Sequence, residues 1–327
     1  MQDERCIIVP TWRGHFNQAI VLEESYIKNT DKSARLVFVC SDKEETEELR
    51  KILSGNENVY FTDLEYLIKK VDGVDVKPYP QCAKISGKHP YQGIKKAYAL
   101  TGIEYSQALL MDCEAKFLKS CLLDDLFDEY FNQKTIWYSN LVPNLRSVNE
   151  AALISLPKEF RNNLTANSWL FEYQGWFFEK HLWLDAVNEI KKNHSTILKN
   201  FMSPPREVFE IVAYYQFLHS RCSQYRFLNI EEEIKKFFTK EKAESFLGKF
   251  NNRHCGILEF FFRGSSQDNV NDMIKFVNHH KIRFARIEPA EPSGYSSTGD
   301  YSLAWKIFNE SNLCVLTCSE AVCLKEN

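Results

Sequence analysis

Asp112 and Glu114 flank Cys113 where the apolar run "ALLM" ends inside the stretch "YSQALLMDCEAKFLKS". Side chains two apart on an extended segment share a side, so this spacing aims both carboxylates at one point and turns Cys113 away. Like charges placed together repel unless a cation lies between them. A hard divalent ion, Mn2+ or Mg2+, held by one or two carboxylates and by a ligand's phosphate oxygens, meets that need. The same residues also suit a strand that simply ends in polar side chains at the surface, and D-x-E alone occurs by chance in many chains.

Other candidates are charged or aromatic residues in apolar surroundings. Lys84, Lys88, Lys95 and Lys96 precede the same run and offer fixed positive charge to an anion, although each also suits a solvated helix face. Thr11, Trp12 and Arg13 follow the apolar run "RCIIVP", and Trp12 suits either stacking on a planar ligand or the neighbouring core. Glu172 lies in "WLFEYQGWFF", where aromatic neighbours desolvate a carboxylate, as a general base requires. Glu210 lies in the apolar helical pattern "EVFEIVAYYQF", so it is either functional or paired, with Arg206 four residues earlier as the structural partner. Glu179 ranks behind these two. His219 and His254 are candidate further metal ligands, while His279 and His280 end an amphipathic segment and suit a helix C-terminus, where the dipole favours positive charge.

The elements that position these residues alternate. Strand-like "RCIIVP", "ARLVFVC", "NVYF" and "ALLMD" are separated by segments of helical period, two opened by the capping patterns Ser41 with Glu44 and Thr62 with Glu65. In the segment "YQGIKKAYALTG", Ile94, Ala97, Tyr98 and Thr101 share one face, Lys95 and Lys96 point elsewhere, and Gly102 marks the stop. Such alternation predicts a parallel sheet covered on both faces, with ligands outside the carboxyl ends of its strands. Asp112 and Glu114 fall at such an end.

Composition bounds the function classes. The chain has 327 residues, 44% of them hydrophobic and 26% charged, enough for a large core. A net charge of -3 with no long Lys/Arg block argues against a nucleic-acid partner. The ten cysteines are scattered without a C-x-x-C, and Cys6, Cys40, Cys255 and Cys314 lie in apolar runs where a thiol acts as a small hydrophobe. With no signal-peptide pattern at its start, the chain is expected to be cytoplasmic.

A first strand ending in "VPTWRG", a basic helix "KKAYAL" and then "YSQALLMDCEAKFL" resemble the nucleotide-sugar-binding half of GT-A fold glycosyltransferases. "FEYQGWFFEKHLW" is similar to their aromatic acceptor-side segment, and "PPREVFEIVAYYQFLHSR" to an F-E-x-x-x-Y-Y helix of bacterial polysaccharide, capsule or lipopolysaccharide members. Together these motifs span residues 5–220. The resemblance implies an α/β fold with a GT-A-like, mostly parallel (Rossmann-like) sheet flanked by helices. A nucleotide-sugar domain over 1–200 would carry a mixed α+β C-terminal portion over 201–327. It implies transfer of a sugar from a nucleotide-sugar donor to a carbohydrate or lipid-linked glycan acceptor, with peripheral contact at the inner membrane face. Thr11, Arg13, Lys88, Lys95 and Asp112 would meet the donor, Asp112 and Glu114 would hold Mn2+ or Mg2+, and Glu172 or Glu210 would be the base. The family motif usually ends in Asp, whereas this one ends in Glu, so a metal-independent site whose carboxylates bind sugar hydroxyls stays open. Two other classes also stay open: a sugar-nucleotide nucleotidyltransferase, disfavoured because "PTWRGHFNQ" has too few Gly and basic residues for a phosphate loop, and a catalytically silent carbohydrate-binding protein.

Overall fold

The structure is a computed structural model and describes residues 4–75, 88–139, 168–169, 175–193, 196–197, 210–248, 267–287 and 302–318. Four runs rich in β-branched and other apolar residues form strands β1 (Arg5–Pro10), β2 (Arg35–Cys40), β3 (Val59–Asp63) and β4 (Gln107–Leu110). β5 (Ala115–Phe117), β6 (Thr135–Ser139) and β7 (Ser168–Trp169) belong to smaller sheets, and β8 (Trp176–Glu179) closes the main one. The main sheet runs β3-β2-β1-β4-β8, parallel throughout except for the antiparallel β4–β8 pair.

Both faces of the sheet are covered, which is why the central strands read as continuous apolar runs. Ile7 and Val9 pack with α1 (Phe16–Asn29) and α2 (Lys43–Ile52), whereas Cys6 and Ile8 pack with α3 (Leu64–Asp72) and α4 (Lys88–Gly102). α5 (Leu123–Gln133) joins the first layer; α6 (Lys180–Asn193) and α7 (Glu210–Arg221) join the second. The sheet's core therefore draws on residues from both sides of position 200.

Two helix starts lie one residue later than the capping patterns suggested. Asp42 and Asp63 are the caps, accepting from the amides of Glu45 and Tyr66. An aspartate is as good a cap as the serine or threonine before it, so the pattern shifts without changing the helix. α4 ends at Gly102 as expected, although that glycine is not left-handed: a Cβ there would meet Leu67 Cδ2 at 2.7 Å, so the missing side chain brings α3 and α4 together.

The remaining elements form a mixed portion with its own cluster. β9 (Arg226–Asn229) pairs with β6, which also carries β7; β10 (Phe284–Ile287) pairs with β11 (Val315–Cys318), and β11 runs antiparallel to β5. α8 (Ile230–Phe237), α9 (Lys240–Gly248), α10 (Gln267–His279) and α11 (Ser302–Glu310) enclose a core of Trp137, Ile234, Phe246, Phe276, Phe308 and Leu316. Phe237, Phe238 and Phe246 pack there and give this stretch its apolar face. No helix among the described residues is long and apolar enough to cross a membrane.

Candidate functional site at the strand switch point

From β1 the chain steps outward to β2 and β3, then crosses back to place β4 on the other side of β1. The order reverses between β1 and β4, and the turns leaving those two strands, residues 11–15 and 111–114, flank the crevice where doubly wound sheets bind ligands.

Two ammonium groups are buried at this edge. Lys95 and Lys96 are 3% and 4% exposed, so neither lies on a solvated helix face, the plainer of the two readings the sequence allowed. The reason is the setting of α4, which packs against β1, α3, α6 and α7 at once and so keeps no solvated face along this stretch. Lys95 Nζ donates to the Thr11 carbonyl at 2.5 Å and to Ser41 Oγ at 3.1 Å, bridging the turns after β1 and β2. Burial lowers its pKa to about 8, with Glu45 opposing the shift. Lys96 Nζ lies 2.9 Å from Asp112 Oδ1 and 3.9 Å from the centre of the Trp176 ring, a cation–π arrangement that suits a desolvated ammonium. Trp176 stands there because it is opposite Leu110, at the carboxyl end of β4.

The second carboxylate has different neighbours. Residues 112–114 lie past the end of β4 in a turn closed by the Ala115 amide donating to the Asp112 carbonyl at 3.0 Å, so strand alternation no longer governs them. Cys113 is fully buried and its Sγ lies 3.2 Å from His15 Nδ1. Glu114 Oε1 lies 3.5 Å from the same nitrogen, and the three donor atoms fall within 4.8 Å of one another. Burial holds the Cys113 thiol well above its ordinary pKa, with Glu114 and Asp112 adding to the shift. This is therefore not the thiolate–imidazolium pair of an activated nucleophile. The Trp12 ring covers His15, with centroids 5.1 Å apart. A Cβ on Gly14 would sit 2.4 Å from the Trp12 indole, so glycine is what admits that fold of the loop.

The other sequence candidates are less concentrated. Arg13 is half exposed and leans onto α2, bonding Glu48 at 2.6 Å and Glu44 at 3.1 Å. Lys88 opens α4 and Glu210 opens α7, with both side chains outside the described residues, as are Glu172 and His254 entirely. Glu179 stands opposite Gln107, at the far end of β4, and accepts from Lys134 and Tyr225, each at 2.7 Å. His219 rings against Phe227 in α7 and is not among the clustered donors. His280 is not a charged helix cap: burial and His279 lower its pKa to about 4, so it is neutral at pH 7. His15 escaped notice in the sequence and Cys113 was read only as turned away, although a histidine just past the first strand of an α/β pattern stands where such folds place ligands.

A hard, oxygen-only ion between Asp112 and Glu114 fits these donors poorly. Asp112 already balances the charge of Lys96, and Glu114 sits beside nitrogen and sulfur.

No known protein family matches the chain, and no curated protein does. Solved structures that it resembles include mouse xyloside xylosyltransferase 1 in apo form, 11% identical, covering 70% of this chain and 86% of that one at a TM-score of 0.37. The bifunctional glycosyltransferase WbbM is 10% identical, covering 71% of this chain and 40% of its own at 0.40. The glycosyltransferase GlyE of Streptococcus pneumoniae is 11% identical, covering 76% and 51% at 0.38.

Proposed function

We propose that the chain transfers a glycosyl group from a nucleotide-sugar donor to a carbohydrate acceptor, with the donor diphosphate seated in the crevice between β1 and β4. The observation that carries this reading is the pair of buried ammonium groups, Lys95 and Lys96, fixed at the switch point by Thr11, Ser41 and Asp112. Cleaving a glycosyl–phosphate bond develops negative charge on the leaving diphosphate. Cations oriented in advance in a low-dielectric site stabilise that charge without reorganising at the moment of reaction. Lys95 and Lys96 are those cations, and Asp112 orients Lys96. Thr11 lends its carbonyl to fix Lys95, and Trp12 and Arg13, in the loop after β1, are where the base and ribose approach. Glu172 and Glu210 are the proposed bases for the acceptor hydroxyl, and the acceptor is the carbohydrate or lipid-linked glycan that the sequence resemblance implies.

The test is nucleotide release from a panel of UDP-, GDP-, dTDP- and CMP-sugars, read with binding of the same panel, for the native chain and Asp112→Ala. Release from one donor, reduced at least tenfold in the variant, is the expected result, since losing a charge-assisted contact costs about 1.5–3 kcal/mol. Binding without release from any donor would favour the silent carbohydrate-binding reading, and neither binding nor release would remove the transferase.

A further inference from the structure

We infer that His15 Nδ1, Cys113 Sγ and Glu114 Oε1 form a binding site for a borderline-soft divalent cation of the zinc type, open toward the crevice. The inference rests on the glycosyl-transfer reading only for what fills the open position.

The donor set is one nitrogen, one sulfur and one oxygen, brought together from the loop after β1 and the turn after β4. Thiolate sulfur selects zinc-like ions, whereas magnesium and calcium take oxygen. The spacing matches as well. A tetrahedral ion with bonds of ~2.0–2.3 Å separates its donors by roughly 3.3–3.6 Å. The two separations at His15 Nδ1 are close to this, 3.2 Å to sulfur and 3.5 Å to oxygen, and the sulfur lies within 4.8 Å of the carboxylate oxygen. The thiol proton passes to solvent as the sulfur–metal bond forms. Three protein donors leave the fourth position vacant, the pattern of catalytic rather than structural zinc sites. Cys113 is fully buried, but the side chains of His15 and Glu114 keep 15% and 18% exposure, so the vacant position has a way out. A diphosphate oxygen in the crevice is its natural occupant. Trp12 over the imidazole holds the ring in place.

Cobalt(II) reports such a site directly, because thiolate ligation gives an intense charge-transfer absorption and tetrahedral geometry gives strong visible bands. The full-length chain, stripped of metal, is titrated with Co2+, then challenged with Zn2+ and separately with Mg2+. The expected result is one Co2+ with a thiolate band, displaced by Zn2+ and not by Mg2+. The band should be lost in Cys113→Ser and kept in Asp112→Asn. His15→Gln, altering a partly exposed ring, should weaken Co2+ binding at least tenfold and serves if Cys113→Ser does not fold by circular dichroism. Absence of the band in the native chain, its persistence in Cys113→Ser, or unchanged affinity in His15→Gln would overturn the site. Since occupancy is read without turnover, a chain that binds cobalt in this way yet releases no nucleotide counts against the transferase alone. An active chain without the band counts against the metal site alone.

Discussion

Lys95 carries a charge into a place that resists it, and that makes its role measurable. Its pKa falls from the ordinary 10.5 to about 8 on burial. Below pH 8 both folded and unfolded chains hold the proton, and burial of the charge costs stability. Between about 8 and 10.5 the unfolded chain binds more protons than the folded one, so stability rises with pH across that window. Relative to Lys95→Met, which does not titrate, the native chain should gain about 3 kcal/mol from pH 8 to 10.5. Urea unfolding at a series of pH values checks this, and parallel curves for the two chains would contradict it. The individual lysines and carboxylates were legible in the sequence as a charged group near a strand end. Which lysine meets which carboxylate was not, because that depends on α4 being packed on every side. Periodicity can show which face of a helix is apolar; it cannot show that the polar positions are buried too.

Elements were more legible than their ends. The four parallel strands and the helices between them follow from apolar runs and helical spacing, because both signals are local. Asp42 and Asp63 shifted two caps by one residue, since adjacent residues compete for the same role. The turn after β4 mattered more. Alternation predicted Asp112 and Glu114 on one side and Cys113 on the other, but the strand ends at Leu110, and the turn brings Cys113 and Glu114 together beside His15. Gly175 shows a different constraint at an element boundary. It precedes β8 with φ +66°, and a Cβ would lie 2.7 Å from Phe284 and 2.9 Å from Phe177. Gly175→Ala should therefore cost about 2–4 kcal/mol, adding left-handed strain to overpacking. Denaturant titration measures it, and a loss under about 0.5 kcal/mol would show that the aromatic cluster yields without strain.

At the scale of the whole molecule, the C-terminal elements reach back to the candidate site. β11 pairs with β5, with Leu316 opposite Lys116, two residues beyond Glu114. Phe284 packs on Phe177 of β8, with ring centres 5.7 Å apart. Leu316 is almost fully buried. Leu316→Ala should cost about 2–5 kcal/mol in urea unfolding, and a loss below about 1 kcal/mol would detach β11 from the cooperative unit. None of this tie was legible in the sequence, since pairing between residues 115–117 and 315–317 leaves no local pattern. Glycosyl transfer at this site requires the crevice between β1 and β4 to receive a nucleoside phosphate. Calorimetric titration of the native chain and of Lys96→Met with UDP, GDP, dTDP and CMP tests that most directly. One nucleotide should bind the native chain, and Lys96→Met should weaken it by about 10–100-fold, the worth of a charged hydrogen bond. Failure of every nucleotide to bind, or equal affinity for both chains, would contradict the account.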